Sequence, residues 1–170
     1  MPNQYKAKPL DARRIDQAFP VMQAAMPGLD IRSWRAFAAK LVGPRPARRP
    51  TAGDGNVVSL PVTRRSGIVT VQLGRGGYIH GLFTYQVVPH LGHGRVLQVD
   101  NFIALDLFDP AAAADTLMQE MEHLGRLLGC GAIHVLLRQP EEMGRSLMLR
   151  RFEELGHHRE GLHLCKGIAH

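Results

Sequence analysis

The clearest hydrophobic pattern in the chain extends from Arg95 to Leu137 and changes from strand-like to helix-like spacing and back. Arg95–Phe108 is rich in Val, Leu, Ile and Phe, which predicts a long buried strand. Asp109 precedes a proline and then a helical pattern, and this pair is typical of a helix start. Ala132–Leu137 is a short apolar run, which predicts a second buried strand. The three segments together predict a right-handed β-α-β unit.

Helices are predicted where apolar residues recur at three- or four-residue spacing. Asp11 and Asp30 precede two such patterns and can cap them, and Pro20 inside the first should kink or break that helix. A later helix is expected from Pro140 to Gly156. The predicted inner faces include Ile15, Phe19, Met22, Met26, Trp34, Phe37 and Leu41 before the central unit, and Leu117, Met121, Leu124 and Leu128 within it.

The remaining strands are predicted from β-rich runs bounded by turn residues. These runs are Tyr5–Leu10, Gly67–Leu73, Tyr78–Val88 and Gly161–Ile168. A Gly-Arg-Gly-Gly segment joins the second run to the third and predicts a β-hairpin. We therefore expect a mixed α/β fold with the order β-α-α-β-β-β-α-β-α-β. Its central sheet should be mixed but largely antiparallel and flanked by helices, in one domain over residues 1–170.

Composition narrows the class of protein. The chain has 170 residues, of which 45% are hydrophobic and 21% charged, as in globular proteins. Its net charge of +6 comes mostly from arginine, which favours anionic partners. The arginines are scattered and not interleaved with aromatic residues, so nucleic acid is not the expected partner. Because the chain contains neither a long apolar run nor an apolar signal segment, we expect no membrane partner and a cytoplasmic location.

Several reaction classes lack their sequence motifs here. The chain has no Gly-x-Ser-x-Gly elbow, no P-loop and no Cys-x-x-Cys pair. His90 and His93 offer two metal ligands within one turn, but no third ligand follows at a recognisable spacing. We therefore expect no metal site.

Two segments resemble the GNAT superfamily of N-acyltransferases. The stretch FEELGHHREGLHLCK, from Phe152 to Lys166, is similar to the family's closing helix and strand. The strand from Val96 to Phe108, which leads directly into a helix, resembles the family's cofactor-binding strand. The order of elements over nearly the whole chain is also similar to that family.

The resemblance implies a place for acetyl-CoA. In the family, the central strand pairs with the pantetheine arm, and the following helix N-terminus binds the pyrophosphate. Backbone N–H groups and the helix dipole make such a terminus attractive to anions. The cofactor-binding residues implied in this chain are Ala104, Leu105, Asp106, Leu107, Phe108, Asp109, Ala112, Ala113, Ala114 and Asp115.

The chain departs from the family's motifs at several positions. The family's pyrophosphate loop reads Gln or Arg, two variable residues, Gly, one variable residue, then Gly or Ala. Asp109 lies at the basic or amide position and Ala112 at the first glycine, whereas Ala114 matches. The tyrosine that often serves the family as general acid is matched here by Phe152, and a nearby family asparagine by Arg145.

Direct aminolysis of a thioester needs a base and a polarised carbonyl. Asp100, on the central strand, is a candidate base or amine-binding group, and Asp106 shares its parity. His80 and Tyr85, at opposite parities on the preceding strand, are candidates for base or acid. His134 on the next strand is considered in the same way. The alternative for the aspartates is a solvated or ion-paired carboxylate, and for the histidines a satisfied structural position.

The sequence thus favours an acetyl-CoA-dependent N-acetyltransferase acting on a small-molecule or peptide amine. The alternative is a catalytically inactive GNAT-like module that binds a ligand or a protein in the same cleft. Asp109, Ala112 and Phe152 motivate this alternative. A homodimer through exposed strand edges is compatible with both, since unpaired edges invite pairing.

Overall fold

The computed structural model describes residues 5–43, 64–74, 77–105, 109–137, 144–161 and 164–168. Residues 1–138 form one compact unit and residues 139–170 form a second. The expectation of a single domain over the whole chain stays a prediction.

A five-stranded sheet organises the first unit. Its strands lie in chain order: β1 (Tyr5–Pro9), β2 (Ser66–Leu73), β3 (Ile79–His90), β4 (Gly94–Ala104) and β5 (Ala132–Val135). Neighbouring strands from β1 to β4 are antiparallel, and β5 is parallel to β4. A parallel neighbour requires a crossover connection, which the helix between β4 and β5 supplies. The expected mixed, largely antiparallel sheet is confirmed.

The described residues include three α-helices in the first unit, α1 (Ile15–Ala25), α2 (Ile31–Val42) and α3 (Pro110–Leu127), and one in the second, α4 (Gly144–Glu154). The predicted caps are confirmed at Asp11, Asp30 and Asp109, each of which accepts a backbone N–H two or three residues further on. Asp11 caps a short 3-10 turn, Ala12–Arg14, that leads into α1.

The structure excludes a break at Pro20, since α1 continues through it, and the alternative expectation of a kink stays a prediction. A proline removes one helical hydrogen bond. Ala18, Val21 and Met22 are buried on both sides of Pro20, and this packing holds the helix together.

The face of the sheet that α1 and α2 cover carries much of the core. Trp34 is 1% exposed and donates its indole N–H to the Ile15 carbonyl at 2.8 Å, which joins the two helices. Leu82 of β3 belongs to the same buried cluster. Phe37, expected on the inner face, is 40% exposed because Trp34, Ala38 and Leu41 define the inward direction and Phe37 lies beside them. We call this side of the sheet the α1 face.

The opposite side of the sheet packs against α3, and we call it the α3 face. A Cβ built on Gly81 of β3 would lie 3.2 Å from Leu117 Cδ1. A Cβ on Gly125 would lie 3.3 Å from the Ile133 side chain of β5. Gly81 and Gly125 therefore mark where α3 approaches the sheet closely.

The predictions for the central strand and for the closing strand need correction. β4 ends at Ala104, not Phe108, and residues 106–108 lie outside the described part of the chain. Residues 161 and 164–168 form no strand, although a closing strand was expected over Gly161–Ile168. Leu164 is 81% exposed and Ile168 79% exposed, so these apolar side chains gain no burial that would favour a strand. Pro140, the predicted start of the last helix, also lies outside the described residues, where α4 begins at Gly144.

Candidate functional site

A β-bulge interrupts β4 near its C-terminal end. Thr84 of β3 pairs with Asp100. Two residues back along β3, Leu82 pairs with Ile103, so β4 carries one residue more than β3 between the two pairs. Asn101, at the bulge, has a φ of 53°, a left-handed conformation that Asn adopts more readily than most residues. The bulge shifts the alternation of side chains, so residues after it do not keep the parity of Asp100.

Buried polar groups hold the bulge in place. Asn101 Nδ2 donates to Thr84 Oγ1 at 3.1 Å, and Thr84 Oγ1 donates to the Asp100 carbonyl at 2.9 Å. Both side chains are less than a tenth exposed, and these bonds satisfy them. Gln98 Nε2 donates to Asp100 Oδ1 at 3.3 Å. The half-buried Asp100 carboxylate is therefore oriented at the α1 face by a fixed partner.

The pairing between β4 and β5 ends at the bulge. The last pair joins Val99 to Val135, and the Leu136 N–H donates to the Val99 carbonyl at 2.9 Å. Within the described residues, no β5 pair follows along β4 from Asp100 to Ala104. Along this edge of β4, peptide groups without a β5 partner among the described residues are of the kind that an extended ligand can pair with.

The N-terminus of α3 follows shortly after this edge. Asp109 caps it: the Ala112 N–H donates to Asp109 Oδ1 at 3.0 Å, and the Ala113 N–H donates to the Asp109 carbonyl at 3.4 Å. Pro110 has no N–H to offer. The positive end of the helix dipole lies at this N-terminus, but Asp109 already accepts two backbone N–H groups of the first turn.

The residues implied as cofactor contacts are spread over the β4 end and α3. Leu105 is 41% exposed, and its N–H donates to the His80 carbonyl at 2.8 Å. Ala113 and Ala114 are buried, with exposed fractions of 0% and 2%. Positions on the strand end or the first turns of the helix are Ala104, Ala112 and Asp115, whereas Asp106, Leu107 and Phe108 lie outside the described residues.

The structure separates two of the three candidate catalytic residues. Asp100 lies on the α1 face, because its partner Thr84 shares the parity of Leu82. Tyr85, the next residue of β3, points to the α3 face and donates its hydroxyl to the Arg64 carbonyl at 3.2 Å. Asp100 and Tyr85 therefore cannot act on one substrate from the same side of the sheet.

Tyr85 is also poorly suited to lose its proton. Burial raises the pKa of its hydroxyl, with the Glu120 carboxylate adding to the rise and Arg64 opposing it. A Cβ on Gly67 would lie 2.9 Å from the Tyr85 hydroxyl oxygen, so the ring occupies space that this glycine leaves. These contacts fit an anchoring residue.

His80, the third candidate, lies near the start of β3, whereas Asp100 pairs with Thr84 further along that strand. Its ring centroid is 5.8 Å from that of Tyr5 in an edge-to-face arrangement. Thr84 lies four positions further along β3, which corresponds to about 13 Å along a strand. His80 is therefore near the end of β4 but not beside Asp100.

Sequence reasoning named Asp100 as a candidate but did not name the residues that surround it. Thr84, Gln98 and Asn101 form the hydrogen-bonded group around the bulge. The available signal was the pair Asp100–Asn101 inside an otherwise apolar strand, since Asp and Asn are both depleted in strands.

Known proteins match this chain in fold but not in sequence. No family model matches the chain, and no curated protein matches it in sequence. Solved structures do match its fold. An acetyltransferase from Trypanosoma brucei is 13% identical with a TM-score of 0.65, over 97% of this chain and 100% of that one.

Two further solved structures agree with that match. An aminoglycoside N-acetyltransferase solved with CoA is 10% identical with a TM-score of 0.69, over 98% of this chain and 96% of that one. A ribosomal-protein-alanine N-acetyltransferase from Brucella melitensis is 11% identical with a TM-score of 0.66, over 97% of this chain and 100% of that one. The resemblance seen in the sequence is thus confirmed at the level of fold: the chain has the fold of these acetyltransferases.

Proposed function

We propose that this protein is an acetyl-CoA-dependent N-acetyltransferase that acts on an amine. The observation that carries the proposal is the bulge at Asn101. The last β4–β5 pair among the described residues lies just before it, so the β4 edge from Asn101 to Ala104 would be available to a ligand, a few residues before the α3 N-terminus. A strand edge followed by a helix N-terminus suits a ligand that combines amide groups with phosphates. Neighbours in fold that are acetyltransferases support the same activity.

The residues present fit the cofactor at two places, the edge of β4 and the first turn of α3. Peptide groups of β4 from Asn101 to Ala104 would pair with the amides of the pantetheine arm, and the first turn of α3 would bind the pyrophosphate. Asp109 already accepts the Ala112 N–H in that turn, so phosphate binding competes with the cap. When bound, acetyl-CoA supplies an acetyl thioester.

Asp100 is the proposed general base. A protonated amine cannot attack a thioester, so a proton must leave the acceptor nitrogen before or during attack. The Asp100 carboxylate is half-buried, lies at the bulge, and is held by Gln98. It can accept that proton directly or through one water molecule. The acceptor would lie over the α1 face, approached past the turn between α1 and α2.

The substrate is proposed only as a class, a small-molecule or peptide amine. The fold neighbours include enzymes named for aminoglycosides, for the alanine of a ribosomal protein and for glucosamine 6-phosphate. These names share an acceptor amine and little else. A panel of amines drawn from all three chemistries is therefore the appropriate screen.

A homodimer and a cytoplasmic location stay predictions from the sequence. Among the described strands, β1 is at one edge of the sheet. It carries exposed Lys6, Lys8 and Pro9, residues that oppose edge-to-edge pairing. A dimer would therefore use another surface. None of the described helices has the length and apolar character that crossing a membrane requires.

The test is release of the CoA thiol from acetyl-CoA in the presence of the amine panel. We expect turnover with at least one amine. Asp100→Asn should lower kcat/KM by about 100-fold or more, the usual range for a general base. Asp16→Asn, which removes an exposed carboxylate that pairs with Arg35, should leave turnover unchanged. Binding of acetyl-CoA without turnover on any amine would instead favour the inactive binding module.

A further inference from the structure

Three histidines meet where the β3–β4 turn approaches β5. His90 ends β3, His93 lies in the turn that follows, and His134 lies on β5. The ring centroids are 4.9 Å apart for His90 and His93, 4.8 Å for His90 and His134, and 5.7 Å for His93 and His134. His134 is the third imidazole that the spacing of the first two did not reveal, because 41 positions along the chain separate it from His93.

The backbone is built for this approach. A Cβ on Gly131 would lie 2.4 Å from the His93 carbonyl oxygen, so only glycine lets the start of β5 come this close to the turn. The Gly131 N–H donates to the Arg95 carbonyl at 2.8 Å, and the Arg95 N–H donates to the His93 carbonyl at 2.8 Å. These bonds fix the positions from which the rings project.

We propose that His90, His93 and His134 form a site for one Zn²⁺ ion. Imidazole is a preferred ligand of zinc, at about 2.0–2.1 Å from nitrogen to metal. With tetrahedral angles at the metal, ring centroids would be about 5.2 Å apart, close to the three separations observed. One ring nitrogen of His93 and one of His134 lie within 4.8 Å of each other. The His90 ring, whose centroid lies 4.8 Å from that of His134, would have to rotate to bring a nitrogen to the same ion.

The surroundings allow the ion to enter. His93 is exposed, and His90 and His134 are half-buried. The nearby cation, Arg95, directs its guanidinium to the Gly129 carbonyl at 3.3 Å. His90 Nδ1 accepts the Gly92 N–H at 3.2 Å, and coordination through Nδ1 would replace this long hydrogen bond. With three imidazoles and water as the fourth ligand, the site would join the turn to β5.

The site adjoins the proposed active site but does not depend on it. His134 lies opposite Gln98 in the β4–β5 pair, and Gln98 donates to Asp100. A zinc ion here would stiffen the strands that hold Asp100 without contacting a substrate. A zinc-binding experiment therefore tests this site whether or not the protein transfers acetyl groups.

The experiment is a zinc titration of tag-free protein, followed by calorimetry and by competition with a chromophoric chelator. We expect one ion per chain and a rise in Tm of about 5–10 °C at about 100 times Kd. Loss of an outer-shell partner alone weakens metal sites by about 10–100-fold, so His93→Gln and His134→Gln should each weaken binding by at least about 100-fold. His123→Gln, on the exposed surface of α3, is the matched control and should bind as the native chain does.

Two results would overturn the site. One is no zinc binding at about 0.1 mM, far above the dissociation constants of three-ligand sites. The other is binding that His93→Gln and His134→Gln leave unchanged or that His123→Gln weakens equally. His93 is exposed, so its variant is expected to fold even if the His134 variant does not. A Co²⁺-substituted sample adds an independent readout, because tetrahedral coordination gives a visible absorption band that both variants should lose.

Discussion

Removing the negative charge of Asp109 should tighten acetyl-CoA binding. Asp109 Oδ1 accepts the Ala112 N–H at 3.0 Å, in the turn where we place the pyrophosphate. Asp109→Asn keeps a good N-cap and removes only the charge. A phosphate bound to the same turn would lie about 4–6 Å from this side chain, given ordinary hydrogen-bond lengths.

The size of the effect follows from Coulomb's law. Two unit charges 4 Å apart interact by about 1 kcal/mol in water and by more where solvent is excluded. Asp109 is exposed, so the aqueous value applies, and the dissociation constant should fall by about fivefold. The helix loses a favourable charge–dipole contact, which costs less than about 1 kcal/mol of stability. The variant should thus be slightly less stable and bind more tightly.

The assay is calorimetric titration with acetyl-CoA at low salt and again at 1 M salt. The gain should shrink at 1 M, where the Debye length falls to about 3 Å. Asp11→Asn is the matched control, because Asp11 caps the 3-10 turn before α1 in the same way. An unchanged or weaker affinity in Asp109→Asn, with a normal control, would refute a pyrophosphate site at the α3 N-terminus.

Two further predictions concern stability. Asn101→Val places a β-branched residue at a φ of 53° and removes the hydrogen bond to Thr84. In urea denaturation this variant should be less stable than Asn101→Gly by about 1–2 kcal/mol. Equal stability of the two variants would show that the bulge does not require this conformation. Because burial raises the folded-state pKa of Tyr85, the unfolded chain ionises first, and stability should fall as the pH rises above 10, the unfolded value. Tyr85→Phe removes the hydrogen bond to Arg64 and should be about 1 kcal/mol less stable than the native chain at pH 8. Between pH 9 and 11 it should lose less stability than the native chain does. An equal loss in both proteins would contradict the raised pKa of Tyr85.

Local signals in the sequence predicted most of the elements. Asp11, Asp30 and Asp109 each cap where expected, because a cap depends on residues only a few positions apart. Leu117, Met121 and Leu124 of the stripe predicted for α3 are buried, whereas Leu128 follows the end of the helix and is half-buried. No break occurs at Pro20, because tertiary packing on both sides outweighs one lost hydrogen bond.

The site depended on contacts that local patterns do not contain. The bulge exists because Asn101 accepts a left-handed φ and because Thr84, on another strand, bonds to it. An unbroken strand predicted a shared parity for Asp100 and Asp106, and Asp106 lies outside the described residues. Between Asp100 and Ile103, however, one inserted residue already shifts the alternation of side chains. In the same way, His134 joins His90 and His93 only through the β4–β5 pairing.

The most direct test of the account is the affinity for acetyl-CoA of the native chain and of Ala112→Trp. Ala112 is half-buried in the first turn of α3, where an indole would occupy the phosphate position. Ala39→Trp, on the exposed side of α2, is the control for added bulk. We predict saturable one-to-one binding that Ala112→Trp abolishes and Ala39→Trp retains. Binding unaffected by Ala112→Trp, or no binding at about millimolar cofactor, a free energy weaker than about −4 kcal/mol, would contradict the account.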